Sequence, residues 1–581
     1  MKLLPFVAIF LCLLCHNGHS QKVTDIRLNQ VGFYPNSPKL AVVVGDKRSQ
    51  FVVKDLANNK VVFKGELGAT RTSQHSGRKT MIADFSKFSK PGKYKIEVPA
   101  LQQSGTFEIK ENIYKAVATA TLKGFYYQRA STALPEKYAG KWAREGGHAD
   151  DRVLIHASAV SEGRPENHVI GSKGGWYDAG DYNKYIVNSG ITMGTLLSLY
   201  EDYPAYFETF NTNIPESNNA IPDLLDEVIW NLRWMLTMQD PADGGVYHKL
   251  TNPQFDGTVM PAAATKPRFV VQKSTAATLD FVAVMAQSAR VLRAFNNKVP
   301  GLADSCTRAA LNGWKWSKSN PAELYNQDAN NKKYEPKIVT GAYGDKDVSD
   351  EWIWAAAEMY SLTGKEEYLN GIDLQLGNSF VLPTWNQVRA LGYFTILRSG
   401  EALKPPGNLV EDVKKNLLSY TTTLLADLDK QPYHTVMGKS PRDYAWGSSS
   451  VAANQGIALL YAYKVSKNTA FIEAALGNMD YLLGRNATGY SFLTGFGTKQ
   501  VMHPHHRISD ADGVKEPVPG LLSGGPNPGQ QDKCTTYPNK FADESFTDHY
   551  CSYASNEIAI NWNSPMVYLA AALDAQMIAK P

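Results

Sequence analysis

The chain has 581 residues, of which 43% are hydrophobic and 20% charged, and it carries a formal net charge of +4. That length leaves room for more than one domain, and the composition is that of an ordinary globular protein. So small a charge, with no clustered basic excess, argues against a nucleic-acid-binding surface. Aromatic content is on the high side, with 30 Tyr and 11 Trp, which suits a carbohydrate binder.

Met1 to Ser20 read as a secretory signal. Lys2 supplies the positive start, Leu3 to Cys15 the apolar core, and Gly18-His19-Ser20 the small residues of a cleavage site before Gln21. The apolar run is too short to span a bilayer, and no later stretch is long and apolar enough. A secreted or periplasmic location is therefore expected. Cys12 and Cys15 each follow a leucine, where a lipid-anchored cysteine wants a small residue, so lipoprotein anchoring is not expected. Of the remaining cysteines, Cys534 and Cys551 are near enough in sequence to pair, and Cys306 falls in a helical pattern.

Residues 22–110 read as all-β. Short apolar runs at 39–44, 51–54, 61–64, 81–85, 94–98 and 106–109 are punctuated by turn formers such as Asn58-Asn59 and Pro91-Gly92. Strands at this spacing predict a β-sandwich, and no acid or histidine cluster marks it as a site. From residue 113 to the end at 581 the period becomes helical, with about a dozen helices and glycine- and proline-rich connections. Helix starts are expected at Tyr185, Glu351, Trp385 and Glu557, among others. This pattern predicts a mainly α toroid of helix pairs whose loops build one functional face. Two connections, 132–184 and 484–556, are too long for simple turns, and every chemical candidate lies in or beside them.

The first connection ends in Gly174-Gly175-Trp176-Tyr177-Asp178-Ala179-Gly180-Asp181-Tyr182-Asn183-Lys184-Tyr185. Asp178 and Asp181 sit three residues apart on a glycine-loosened backbone between aromatic residues, a pattern that suits a sugar ring and a water. The second connection holds Ser491 to Lys499 and then Met502-His503-Pro504-His505-His506-Arg507. Pro504 interrupts the histidines and no acid or cysteine stands at ligand spacing, so these are expected to hydrogen-bond sugar hydroxyls rather than hold metal. Phe546 to Ser564 follows, with Asp548, Tyr553 and Glu557 before an apolar helix. A carboxyl walled by Tyr553 and Trp562 would be partly desolvated, which raises its pKa as a general acid requires. His248 and Lys249 on a predicted loop, and Trp446, are further cleft candidates, and Asn486-Ala487-Thr488 is a glycosylation sequon.

Together these three segments resemble the signatures of glycoside hydrolase family 9, whose members are mostly cellulases. The opening Arg27-Leu28-Asn29-Gln30-Val31-Gly32-Phe33 resembles the immunoglobulin-like module that precedes one branch of that family. The resemblance implies an (α/α)6 barrel and hydrolysis with inversion. Asp181 would be the base that deprotonates water, Asp178 its helper and Glu557 the acid. It places His505 and Arg507 against substrate, with Tyr553 and Asp548 supporting the acid. An inverting pair stands roughly 6.5–9.5 Å apart, leaving room for water. Some relatives hold zinc at places matched here by Ala130, Gly147-His148 and Tyr177, so zinc is not expected. Relatives also bind calcium near the helix at Ser349, which implicates Asp347, Asp350 and Glu351. The expected substrate is a β-1,4-glucan, attacked in endo fashion. The alternatives are exo action on cellodextrins, xyloglucan or glucosamine oligomers, or an inactive carbohydrate-binding barrel. No protein partner is indicated.

Overall fold

The computed structural model describes residues 25–374 and 379–578. The expected leader, Met1 to Ser20, lies outside the described residues.

The N-terminal module is a sandwich of two four-stranded antiparallel sheets. One sheet runs Ile26–Arg27, Leu40–Val44, Lys79–Asp84, Arg71–Thr72, and the other Val61–Glu66, Gln50–Asp55, Gly92–Val98, Gln103–Ile109. In Gly92–Val98 the residues Tyr94, Ile96 and Val98 are buried, the period of two that a half-buried strand demands. Phe33, Phe85, Tyr94 and Phe107 pack edge-on or tilted at the centre of the core.

The module is anchored to the helical body by buried polar contacts. Asn29 donates to Asp480 at 2.7 Å and to Tyr114 at 2.8 Å, while Tyr34 donates to Asp574 at 2.8 Å. Arg78 pairs with Glu544, and Ser73 donates to Asp543 at 2.6 Å.

The body is a double ring of helices. The inner ring comprises Ile186–Asp202, Thr275–Leu292, Ser349–Thr363, Arg389–Leu403, Ser448–Ser466 and Ile560–Ile578. Thr275–Leu292 is buried along almost its whole length, on every side, as an inner helix must be. The outer ring comprises Lys115–Tyr127, Asp223–Thr237, Leu302–Ser319, Leu409–Leu425 and Thr469–Leu482, with the short turn Glu366–Tyr368 in the fourth place among the described residues. Outer helices are one-sided: Leu409–Leu425 buries Leu409, Val413, Leu417, Thr421 and Leu424, one stripe at near-helical spacing. The expected mainly α (α/α)6 barrel behind a β-sandwich is thus the observed architecture.

The four expected helix starts each move by one to four residues, Glu351 to Ser349 and Trp385 to Arg389 among them. Lys184–Tyr185 is a strand, and the helix begins at Ile186. That strand edges a small five-stranded sheet ordered Val169–Ile170, Val153–Ile155, Phe269–Val270, Lys249–Thr251, Lys184–Tyr185. The sheet draws Lys249–Thr251 alongside the residues that follow Asp181. At the other end Glu557 precedes the helix, which starts at Ile560, and instead bridges the backbone of His505.

Candidate active site

The three sequence segments meet at Gly180. Its amide donates to Glu557 Oε1 at 3.3 Å, and its carbonyl accepts from the Arg507 backbone at 3.2 Å and from Arg507 Nη1 at 2.8 Å. A Cβ at this position would stand 2.1 Å from the His505 carbonyl oxygen, so only glycine allows the approach. Gly175, at φ +76°, makes the turn that lets the loop pack on the Trp234 ring. The Asp178 carbonyl accepts from the Ile560 amide at 2.8 Å, fixing the aspartate loop to the last inner helix.

Asp178 is buried. Its Oδ1 accepts from Asn188 Nδ2 at 2.8 Å and its Oδ2 from the Tyr343 hydroxyl at 3.1 Å. Burial, then the charge of Asp181, pushes its carboxyl up to about 8, while both donors pull the other way. Asp181 is 6% exposed. Its Oδ2 accepts from Asn183 Nδ2 and from the Tyr185 hydroxyl at 3.2 Å, and its Oδ1 takes no hydrogen bond among the described residues. One oxygen is thus pinned and the other is free for a water.

Glu557 is half-buried at the junction. Burial holds its carboxyl well above the ordinary value, and the charges of Asp181 and Asp178 push it further. Arg507 and the Gly180 amide act in the opposite sense. The Glu557 carboxyl, its proton affinity raised, therefore lies within electrostatic reach of the aspartate pair.

The other sequence-marked residues fall into distinct places. His505 Nδ1 lies 2.7 Å from the Tyr550 carbonyl, and its ring packs between Tyr550 and Tyr553. Arg507 donates from Nε to the Asp256 carbonyl at 2.9 Å, leaving Nη2 without a protein acceptor among the described residues. Tyr553 is exposed and lies 5.5 Å from the exposed ring of Trp446, forming an aromatic wall beside the acid. Asp548 does not face a ligand: its carboxylate accepts from the amides of Met502 and His503 at 2.9 and 2.8 Å and from Asn556 Nδ2 at 3.3 Å. It staples the histidine segment to the glutamate segment. His506 is buried between Gln128 and Ser509, so the histidines diverge.

Several expectations from sequence need correcting. Trp176, Tyr177 and Tyr182, which flank the aspartates, are buried core residues and offer no face to a sugar. His248 and Lys249 are likewise buried and do not line the cleft. Asn486 of the sequon is buried, with its Nδ2 donating to the Tyr481 and Tyr490 carbonyls at 2.7 and 2.8 Å. Conversely, Tyr343, Asn188, Asn183 and Tyr185, which hold the aspartates, were not singled out as site residues. Only the two that follow Asp181 directly carried a signal, because they share its loop.

Two places bear on metals. At the first, the Tyr177 hydroxyl lies 2.9 Å from His148 Nδ1, beside Ala130 and Gly147. Burial and the nearby cations Arg268, Lys184 and Arg144 drive that imidazole down to about 2. The second lies at the start of Ser349–Thr363, where Asp350 and Glu351 face Asp280 and Asp345. Both carboxylate oxygens of Asp280 and of Glu351, and Asp345 Oδ2, are buried without a hydrogen-bond partner. Burial raises all four carboxyls, Asp350 to about 6; neighbouring acids add to it at Asp280 and Glu351, while the Glu351 carboxyl pulls Asp350 the other way. Buried acids of this kind are costly unless they are kept neutral or paired, and their donor atoms are all oxygen. Asp347 does not belong to this group: it is exposed and caps the helix through Ser349 N at 3.0 Å and Ser349 Oγ at 2.7 Å.

A helical double ring bearing an aspartate pair opposite a proton-holding glutamate, behind an immunoglobulin-like module, defines a glycoside hydrolase. Residues 114–570 match the model of glycosyl hydrolase family 9, and residues 21–103 match the cellulase N-terminal Ig-like domain. The chain belongs to family 9. It is 46% identical to the xyloglucan-specific endo-β-1,4-glucanase of Bacteroides ovatus, over 99% of both chains. It is 35% identical to endoglucanase D of Acetivibrio thermocellus, over 94% of this chain and 83% of that one. Among solved structures, that of Bacteroides ovatus GH9 superposes with a TM-score of 0.90 at 45% identity, covering 95% of this chain and 99% of that one. A thermostable endoglucanase from Alicyclobacillus acidocaldarius gives 0.84 at 31%, with the same coverage.

Proposed function

We propose that this protein is an exported endo-β-1,4-glucanase that cleaves with inversion, and that its substrate class is a β-1,4-glucan backbone of the xyloglucan type. The observation that carries the reading is the junction at Gly180, where the aspartate loop and Glu557 share one hydrogen bond within an end-to-end likeness to endoglucanases. In this reading Asp178, its carboxyl pushed up by burial, keeps a proton, and Asp181 is the base. Its Oδ1 takes the proton of a water held between the two aspartates. The Oδ2 contacts from Asn183 and Tyr185 keep the carboxylate from turning away. Glu557, protonated by its surroundings, gives its proton to the leaving glycosidic oxygen. Arg507 Nη2 and the Trp446–Tyr553 wall then meet the sugar on either side of the bond. The substrate class rests on the printed activity of the Bacteroides ovatus relative.

Proton NMR during hydrolysis of xyloglucan and of cellohexaose tests this. The first-formed product should carry the α anomer, and xyloglucan should lose viscosity before reducing ends accumulate. A β-anomeric product would overturn inversion, and release of monosaccharide alone would overturn endo action.

The acid group of Asp280, Asp345, Asp350 and Glu351 is proposed to hold a structural calcium ion, with Asp347 outside it. The ion would supply the missing positive charge at the start of Ser349–Thr363 and takes no part in the chemistry.

A further inference from the structure

Within electrostatic reach of Asp181 lies a lysine that the mechanism above leaves unused. Lys249 is fully buried in the strand Lys249–Thr251. Its Nζ donates to Gln327 Oε1 at 2.7 Å, to Thr340 Oγ1 at 3.1 Å and to the Gly341 carbonyl at 2.6 Å. It lies 5.5 Å from the Tyr185 ring centre and 5.6 Å from that of Tyr325. No carboxylate forms an ion pair with it among the described residues.

From Thr340 the hydrogen bonds continue inward. The Thr340 hydroxyl meets the Thr251 hydroxyl at 2.6 Å. The Thr251 hydroxyl reaches Asn183 Oδ1 at 3.0 Å, as well as the Asn252 carbonyl at 2.8 Å. Asn183 Nδ2 then donates to Asp181 Oδ2. The Thr340 hydroxyl also reaches the Tyr185 phenol, which donates to the same Asp181 oxygen. Lys249, Thr251, Thr340, Asn183 and Tyr185 are all buried, so water does not screen the path.

We propose that Lys249 is a positioning residue for the base: its ammonium heads a directed hydrogen-bond relay that ends on Asp181 Oδ2 and holds that carboxylate ionised and oriented. Directionality follows from counting protons. An ammonium donates through all three N–H groups, one of them to Thr340, whereas a neutral amine has two N–H groups and a lone pair and would accept the Thr340 proton, reversing the chain. If Lys249 donates to Thr340, the Thr340 proton must point onward to Thr251 or Tyr185. Each link is thereby polarised toward the carboxylate, and such chains strengthen one another in a dry interior. The need is electrostatic as well. Asp181 lies within electrostatic reach of Asp178, Glu557 and Lys249, and Lys249 is the one of the three whose protonated form is positive. Burial pushes the lysine well below its ordinary value, and the charge of Asp181 opposes that shift. The other titratable groups facing Nζ are Tyr185, Tyr325 and His248. His248 stacks on Tyr325 and is driven down to about 3 by burial and by Lys249 itself, so it stays neutral.

This inference rests on the assignment of Asp181 as base. The test is the pH profile of kcat/KM on xyloglucan oligosaccharide for the native enzyme and for Lys249→Met, Lys249→Gln and Lys249→Arg, with melting temperatures recorded beside it. The two neutral variants should move the acid limb upward by about one pH unit or more, the scale of one unscreened charge at this remove. Lys249→Arg should leave the limb in place even where kcat falls. Folded neutral variants with an unmoved limb would overturn the relay, because lost packing alone lowers kcat or the melting temperature without shifting the limb. If neither neutral variant folds, neutron diffraction of the native enzyme decides. Three deuterons on Nζ at neutral pH support the relay, and two overturn it. Failure of the functional reading looks different: the native enzyme then cleaves no β-glucan at any pH.

Discussion

The Glu557→Gln variant tests the division of roles most directly. Glutamine keeps the volume, and its amide oxygen still accepts from the Gly180 amide, so the junction of the three segments survives. What is lost is the proton that burial and the two aspartates hold on Glu557. General acid catalysis contributes roughly 10²–10⁴-fold, or about 3–5 kcal/mol in the barrier. On xyloglucan or cellohexaose, kcat should fall by that factor while KM changes little. On a 2,4-dinitrophenyl β-cellobioside the leaving group departs without a proton, and the loss should shrink to within about tenfold. The alkaline limb of the native profile, set by ionisation of Glu557, should also vanish for that substrate in the variant. Stopped assays of both substrates across pH decide the matter. Equal losses on the two leaving groups would refute the assignment, since a merely structural role cannot distinguish them.

Further outcomes follow from the same geometry. Asp178 is held up to about 8 in the fold, against an ordinary carboxylate value of 3.8, so the folded chain binds its proton more tightly than the unfolded one. That contribution to stability is complete below the unfolded value and is lost as pH rises toward 8. The melting temperature of Asp178→Asn relative to the native protein should therefore climb between pH 5 and pH 8; a constant difference would contradict the buried, raised carboxyl. Gly180→Ala, whose Cβ would stand 2.1 Å from the His505 carbonyl, should lose nearly all activity and about 2–4 kcal/mol in denaturant unfolding. Asn29→Ala removes the donor to Asp480 and Tyr114 and should cost about 2–3 kcal/mol, read as a lower urea midpoint at unchanged slope.

The three acids brought together at Gly180 could be singled out in the sequence because each sits in a continuous stretch whose own residues dictate its setting. The glycines of 174–181 announce a tight loop, and Asp548, Asn556 and Glu557 travel together. The barrel, too, showed in the one-sided spacing of outer helices such as Leu409–Leu425. The supports of the site were not legible. Tyr343 and Asn188 reach Asp178 from a distant connection and from an inner helix buried on all sides, where no polar face marks the residue that matters. Lys249 reads as a loop cation in the sequence and becomes buried only because the small sheet seats its strand against Lys184–Tyr185. Asp280 sits inside a helix among alanines and aliphatics, and its acid partners come from another helix and from the segment that precedes it. The aromatic residues beside the aspartates misled for the opposite reason. Adjacency in sequence placed them near the acids, but the positive φ of Gly174 and Gly175 turned Trp176 and Tyr177 into the core.

One short segment, residues 340–345, connects features that the sequence keeps apart. Thr340 and Gly341 accept from Lys249, the Ala342 carbonyl lies 3.0 Å from His248 Nε2, the Tyr343 hydroxyl donates to Asp178, and Asp345 belongs to the buried acid group. A cation among those acids would therefore fix the far end of the strip whose near end holds the Asp178 carboxyl in place. Chelation should then lower the melting temperature and, because Tyr343 is displaced, reduce kcat more than it raises KM. Asp280→Asn and Glu351→Gln should each weaken the calcium-dependent rise in melting temperature, while Asp347→Asn should leave it intact. A melting temperature indifferent to calcium in the native protein would sever this link and leave the four acids to be kept neutral by burial alone.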